Sequence, residues 1–200
     1  MIVSSCLEDM DTTVRQQKAA LRKQMNQVLS ALPKHEVVRQ SKIVTDKVLQ
    51  HPKYVEAQSV SVYLSFDQEI QTGDLLEDIF KSGKICYIPR FRKGSSEMEM
   101  IRLFSMEDLN KLPVNKWNIR QPLDDEIRES VFEAGLVFTP DGKRLGRGKA
   151  YYDQFLHKCS KQLKNSPVTL ALAFKEQILP HLPTTPTDYI MDYVLYKDWG

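Results

Sequence analysis

This chain lacks the means for disulfide chemistry. Its three cysteines, Cys6, Cys86 and Cys159, are odd in number, far apart and form no C-x-x-C pair, a usage that suits a reducing compartment. Metal-ligand spacing of the Cys/His kind is missing too, because His35, His51, His157 and His181 are scattered. No apolar run approaches the ~20 residues a spanning helix needs. An excess of one charge is also lacking: 28 Lys+Arg stand against 26 Asp+Glu, a net +2. That balance argues against a dedicated nucleic-acid or polybasic membrane surface. There is no internal repeat and no low-complexity tract. The first residues carry Glu8, Asp9 and Asp11 without a continuous apolar core, so they read as neither a transit nor a signal peptide. Residues 1–13 are expected to be a mobile extension, residues 14–200 a single domain, the address the cytoplasm and the protein a monomer.

What is present describes an ordinary globular domain. At 200 residues, 42% hydrophobic and 27% charged, the chain fits one domain. A chain of this length can bury roughly 70% of its unfolded surface, so a core alone can hold it. Val14, Leu21, Met25, Val28, Leu29 and Leu32 fall at helical period, with Thr12 or Thr13 as a cap and Pro33 as a breaker. A second helix is expected over 34–50, with Val37, Ile43, Val44, Val48 and Leu49 inward and Pro52 at its end. The period then becomes two: Val60, Val62 and Leu64 share one face of a strand. Thr72 caps a helix through Leu75, Leu76, Ile79 and Phe80, which Gly83 closes. A strand at 84–88 completes a βαβ unit, which requires parallel strands. Residues 97–103 alternate as a further strand, and Ser105 with Asp108 caps a short helix. Residues 114–129 read as a loop and Leu136–Phe138 as a short strand entering Thr139-Pro140. A glycine-led helix follows over 146–162. The apolar run at 168–174 reads as a central strand buried on both faces, and the last strand lies near 193–196. The class is α/β, with a mostly parallel sheet covered on both faces.

One segment carries chemistry: Arg144-Leu145-Gly146-Arg147-Gly148-Lys149-Ala150-Tyr151-Tyr152-Asp153. It follows a strand and opens a helix. Its glycines allow close backbone approach, and a helix N-terminus favours anions. Arg144, Arg147 and Lys149 would oppose the helix dipole unless something anionic offset them. A phosphate site and a solvated basic turn both remain open on spacing alone. The segment is not a Walker loop, since Arg144 stands where that pattern needs glycine and Ala150 where it needs Ser or Thr. Tyr151 stands where a dinucleotide fingerprint needs its third glycine.

The segment resembles the RLGxGxGYYD signature of the 5-formyltetrahydrofolate cyclo-ligases (methenyltetrahydrofolate synthetases). Further pieces match in order: Lys18-Ala19-Ala20-Leu21-Arg22, Tyr63-Leu64-Ser65-Phe66-Asp67-Gln68-Glu69-Ile70, Cys86-Tyr87-Ile88-Pro89-Arg90, Trp117-Asn118-Ile119, Leu170-Ala171-Leu172-Ala173-Phe174-Lys175-Glu176-Gln177, and Asp188. The resemblance implies a three-layer α/β/α sandwich. It also implies a reaction in which ATP, with Mg²⁺, drives closure of 5-formyltetrahydrofolate to 5,10-methenyltetrahydrofolate. It assigns the nucleotide to Lys18, Arg22 and the loop from Arg144 through Leu145, Gly146, Arg147, Gly148, Lys149 and Ala150 to Tyr151 and Tyr152, with Lys149 and Arg147 catalytic. The folate falls to Arg22, Leu64, Glu69, Trp117, Arg147, Gly148, Lys149, Ala150 and Tyr151, and Mg²⁺ to Asp153 and Asp188, with Asp192 a weaker candidate. Each residue also has a plainer reading. Lys18 and Arg22 fit a solvated helix face, Glu69 a loop charge, Tyr152 and Trp117 core packing, and Asp153 an acid offsetting a dipole.

The chain departs from the family pattern in two places. Between Pro140 and Gly142 it is about six residues shorter than the usual run, a change that falls in a connection. Ala150 replaces a usual glycine. A shift of ~1 Å in a phosphate loop can cost ~10²-fold in rate. Two functions follow: an active cyclo-ligase with a trimmed loop, or a catalytically impaired relative that still binds folate or nucleotide. A basic patch of Arg90, Arg92 and Lys93 with Arg144, Arg147 and Lys149 as a macromolecule-binding surface is a third.

Overall fold

The computed structural model describes residues 3–91, 98–114, 120–128, 137–138, 141–145, 156, 167–185 and 188–198, with backbone alone for 3–12 and 137–138. Two helices open the chain. Helix α1 runs Val3–Ser30, passing through Thr12 and Thr13, so neither caps it. It starts at Val3 where the sequence pattern placed it near Val14. Met25 and Leu29 are buried and Leu21 and Leu32 pack beside them, while Val28 turns off the stripe and is 36% exposed. Helix α2, Lys34–Gln50, has the expected bounds. Val37, Val44 and Val48 are buried, and so are Gln40, Ser41 and Thr45.

The buried Gln40 amide is bonded at both its nitrogen and its oxygen. Gln40 Nε2 donates to Glu36 Oε1 (3.0 Å) and Glu176 Oε2 (2.9 Å), and its Oε1 accepts from the Lys175 N–H. The amide thereby ties α2 to a 3-10 turn at Lys175–Gln177. Such satisfaction is what a fully buried amide requires. The short helix α3, Pro52–Glu56, follows with His51 as its cap.

Strand β1, Ser59–Ser61, helix α4, Gly73–Lys81, and strand β2, Ile85–Phe91, form the βαβ unit, with β1 parallel to β2. Leu75, Leu76 and Ile79 of α4 are buried. Its end is a Schellman motif: Gly83 has φ 72°, its N–H reaches the Phe80 carbonyl, and the Lys84 N–H reaches that of Ile79. Thr72 occupies the cap position of α4, but its hydroxyl donates to the Tyr63 carbonyl (2.8 Å) instead of serving the helix. Strand β3, Met98–Leu103, is antiparallel to β2. Helix α5, Met106–Lys111, is capped by Ser105, whose Oγ accepts from the Asp108 N–H (3.0 Å).

The later strands depart from expectation. Strand β4, Val137–Phe138, pairs antiparallel with β5, Arg144–Leu145, so the short strand expected at 136–138 is half of a hairpin. Gly142 turns the hairpin at φ 86°. Strand β6, Leu170–Leu172, pairs in parallel with β7, Tyr193–Leu195. Among the described residues β6 pairs on that side alone, and Leu170 and Leu172 are half-buried, which falls short of a strand covered on both sides. Parallel register alternates the bonding edge: the Ala171 backbone faces β7 and the backbones of Leu170 and Leu172 face away. In β1, Val60 faces β2 while Ser59 and Ser61 face away. The two parallel pairs nevertheless share one core, since Val62, Ile88, Phe174 and Leu195 belong to the same buried cluster. The class is α/β. No helix among the described residues is long and apolar enough to cross a membrane.

Candidate functional site

The site is assembled from opposite ends of the chain. Lys18 projects from α1, and its ammonium lies 2.6 Å from Asp188 Oδ2 and 2.9 Å from Oδ1. Both side chains are mostly buried, 12% and 18% exposed. Asp188 also accepts from the Thr185 N–H (2.6 Å) and Thr185 Oγ1 (3.2 Å), so a tight turn presents the carboxylate. Burial works to raise this carboxyl. The Lys18 ammonium and the Thr185 donors outweigh it and hold it below its ordinary 3.8. Helical period leaves Lys18 a solvated alternative; its pairing with Asp188 removes it.

The loop after β1 is held rigid from within. Tyr63 Oη donates to the Ile70 carbonyl (3.0 Å), and Gln71 Nε2 to the carbonyls of Phe66 and Glu69 (2.8 Å each). The Gln71 N–H reaches Ser41 Oγ on α2 (2.9 Å). Glu69 Oε2 accepts from the Phe66 N–H (3.0 Å). Leu64 and Glu69 are half-buried on this frame. Fixed backbone of this kind is what a binding loop needs to hold a ligand in one geometry.

The predicted phosphate loop is entered from β5. Arg144 and Leu145 are both 2% exposed, so Arg144 is a buried residue of the hairpin and not one of three solvated cations. Gly142 seats the hairpin on the chain before β7: the Met191 N–H donates to the Gly142 carbonyl (2.9 Å). Gly146, Arg147, Gly148, Lys149, Ala150, Tyr151, Tyr152, Asp153 and Trp117 lie outside the described residues. Arg22 is half-buried four residues after Lys18 on α1. Asp192 is committed elsewhere. Its Oδ2 accepts from the N–H (2.7 Å) and Oγ1 (2.6 Å) of Thr169, tying the start of β6 to β7. The basic patch of the third reading also fails at Arg90, which is 2% exposed. Its guanidinium binds Glu99 and the carbonyls of Leu123 (3.1 Å) and Glu126 (2.6 Å).

Sequence reasoning missed Thr185, Gln71 and Ser41 as supports. The signal for Thr185 is its place three residues before Asp188, a spacing at which a side-chain oxygen and a backbone N–H meet in a turn. Gln71 and Ser41 join across separate elements and leave no such local mark.

Known proteins resemble this chain throughout. The family model described as the 5-formyltetrahydrofolate cyclo-ligase family matches residues 14–197. A mouse protein named 5-formyltetrahydrofolate cyclo-ligase is 44% identical over 195 residues, 93% of this chain and 96% of that protein. A Caenorhabditis elegans protein named a probable 5-formyltetrahydrofolate cyclo-ligase is 34% identical, over 93% and 95% of the two chains. The solved structure of Aquifex aeolicus 5,10-methenyltetrahydrofolate synthetase superposes with a TM-score of 0.70 at 25% identity, over 92% of this chain and 94% of that one. With the motifs in order and the fold in agreement, this chain belongs to the 5-formyltetrahydrofolate cyclo-ligase family, a family of enzymes.

Proposed function

We propose that the protein closes 5-formyltetrahydrofolate to 5,10-methenyltetrahydrofolate in the cytoplasm, consuming ATP with Mg²⁺ and releasing ADP and phosphate. The observation that carries this reading is the meeting of Lys18 and Asp188 from opposite ends of a chain that matches the family from residue 14 to 197. The formyl group on N5 is an amide, and its oxygen leaves poorly. Transfer of the γ-phosphoryl to that oxygen converts it into phosphate, a good leaving group. N10 then attacks the formyl carbon and gives up its proton to solvent, the C–O bond breaks and phosphate departs.

The protein's part is alignment and charge neutralisation. Lys18 brings a fixed ammonium to the nucleotide. Arg147 and Lys149, in the Gly146–Tyr151 loop, would neutralise charge on the transferring group. Glu69, held beside Phe66, offers an acceptor to pterin N–H donors. Mg²⁺, when bound with Asp153 among its oxygen ligands, would neutralise phosphate charge. The test is formation of methenyltetrahydrofolate, followed by its near-ultraviolet absorbance with ATP, Mg²⁺ and 5-formyltetrahydrofolate. Absence of turnover with the parent protein sinks the reading.

A second reading, folate or nucleotide binding without efficient turnover, is favoured by the sheet. Strands β1 and β6 share a core, yet among the described residues they belong to separate sheets. The connection beside the phosphate loop is short as well. Measurable folate binding without methenyltetrahydrofolate would support this second reading.

A further inference from the structure

Asp188 is a poor direct ligand for a divalent cation as it stands. A carboxylate oxygen offers about two lone-pair positions. Oδ2 already receives Lys18 Nζ, the Thr185 N–H and Thr185 Oγ1, and Oδ1 receives Lys18 Nζ. Oδ2 has no position left for a Mg²⁺, and an ion at the usual ~2.1 Å from Oδ1 would share that oxygen with the Lys18 ammonium. Among the described residues no three His, Cys, Asp or Glu side chains gather as a metal site.

The same geometry is well suited to a different task. An ammonium has three protons on a flexible four-carbon stem. Nζ sits astride the two Asp188 oxygens, 2.9 and 2.6 Å away, so the N–H bonds turned away from the carboxylate can serve a ligand oxygen, and the stem is held on one course beside α1. We propose that Asp188 is a positioning residue: it fixes the Lys18 ammonium for a nucleotide phosphate oxygen and does not itself bind the metal. This inference rests on the nucleotide reading of Lys18 given above. Thr185, which holds the carboxylate through two donors, belongs to the same device.

The proposal has a sharp sign. Removing a carboxylate near a phosphate site should tighten metal-free nucleotide binding if repulsion were its only effect. Removing the anchor of Lys18 should weaken it. The experiment uses the full chain with Asp188→Asn, Lys18→Met and the double variant. It measures ADP affinity by calorimetry in EDTA and in Mg²⁺, and the reactivity of Lys18 with an amine-acylating reagent by peptide mass spectrometry.

For Asp188→Asn the expected results are ADP binding about tenfold weaker both with and without Mg²⁺, an unchanged Mg²⁺ half-saturation, and faster acylation of Lys18. The double variant should bind no more weakly than Lys18→Met alone. Unchanged or tighter metal-free ADP binding, with a raised Mg²⁺ half-saturation, would overturn the proposal, and so would unaltered Lys18 reactivity. If Asp188→Asn melts too low to titrate, Thr185→Val is used, with the same directions at smaller size. A parent that binds neither ADP nor ATP would remove the nucleotide reading, and the acylation result would still decide whether Asp188 fixes Lys18.

Discussion

Gly142 and Met191 meet with no room between them for a side chain. A Cβ built on Gly142 would lie 2.2 Å from the Met191 carbonyl oxygen, and Gly142 itself has φ 86°. The hydrogen bond between these two residues (2.9 Å) docks the β4–β5 hairpin, which leads into the proposed phosphate segment, on the chain leading to β7. Gly142→Ala combines a left-handed backbone with a backbone clash. It should destabilise the protein by about 2 kcal/mol or more in urea unfolding. Gly83→Ala shares the positive φ but meets no atom within 4 Å, so it should cost only about 1 kcal/mol. Equal losses in the two variants would show that the hairpin is not seated on Met191.

Arg90 is a structural cation. It is buried in β2 and reaches Glu99 and two carbonyls of the 120–128 segment. Arg90→Met keeps the stem but removes every donor, so the Leu123 and Glu126 carbonyls lose this partner. The expected cost is about 3 kcal/mol in the unfolding midpoint analysis. Arg39→Met, which breaks an i,i+3 pair with Glu36, should leave the unfolding midpoint near that of the parent, because such surface pairs are screened by solvent.

Acid should weaken the fold in two stages. Burial, followed by the Lys53 charge, lowers the His51 pKa from its ordinary 6.5. Its Nδ1 accepts the Lys53 N–H (3.2 Å) at the start of α3, which only the unprotonated nitrogen can do. The unfolded chain therefore binds the extra proton first, and stability declines as pH falls below 6.5. His51→Asn retains a capping acceptor and should flatten the melting temperature between about pH 6.5 and pH 5. The second loss comes from carboxyls held low in the folded state. Arg128 lowers Asp108 against the effect of burial, and Asp188 is lowered as described. Their contribution is present above the ordinary 3.8 and is lost as pH falls through the lowered values. A melting temperature unchanged from pH 7 to pH 5 would refute the His51 assignment.

Two substitutions separate phosphate transfer from folate binding. Lys149→Ala should abolish turnover and leave the melting temperature near that of the parent. A variant as active as the parent would refute the phosphate role. Glu69→Ala should raise the folate KM about tenfold, the size expected when one charged hydrogen-bond partner is lost. The ATP KM should stay constant, and a rise in both would point to a loop that has lost its shape.

Local chemistry was legible from the chain alone. The bounds of α2 follow from the spacing of Val37, Val44 and Val48 between Pro33 and Pro52, and the close of α4 from Gly83, since glycine adopts positive φ without strain. Caps, breakers and periodicity act over a few residues, so sequence carries them directly. The family resemblance was equally legible, because its motifs are short and contiguous.

Topology decided the rest. Arg144 and Arg90, both members of the candidate basic patch, are buried; Asp192, a weaker metal candidate, holds Thr169; the short strand expected at 136–138 is half of an antiparallel hairpin. In each case the outcome depends on which distant segment arrives beside the residue, and a charge on its own has no preference among partners. Lys18 and Asp188 are the clearest instance. The residue types came from the sequence, but only the closing of the fold across a separation of 170 positions turns two charges into one buried, oriented pair.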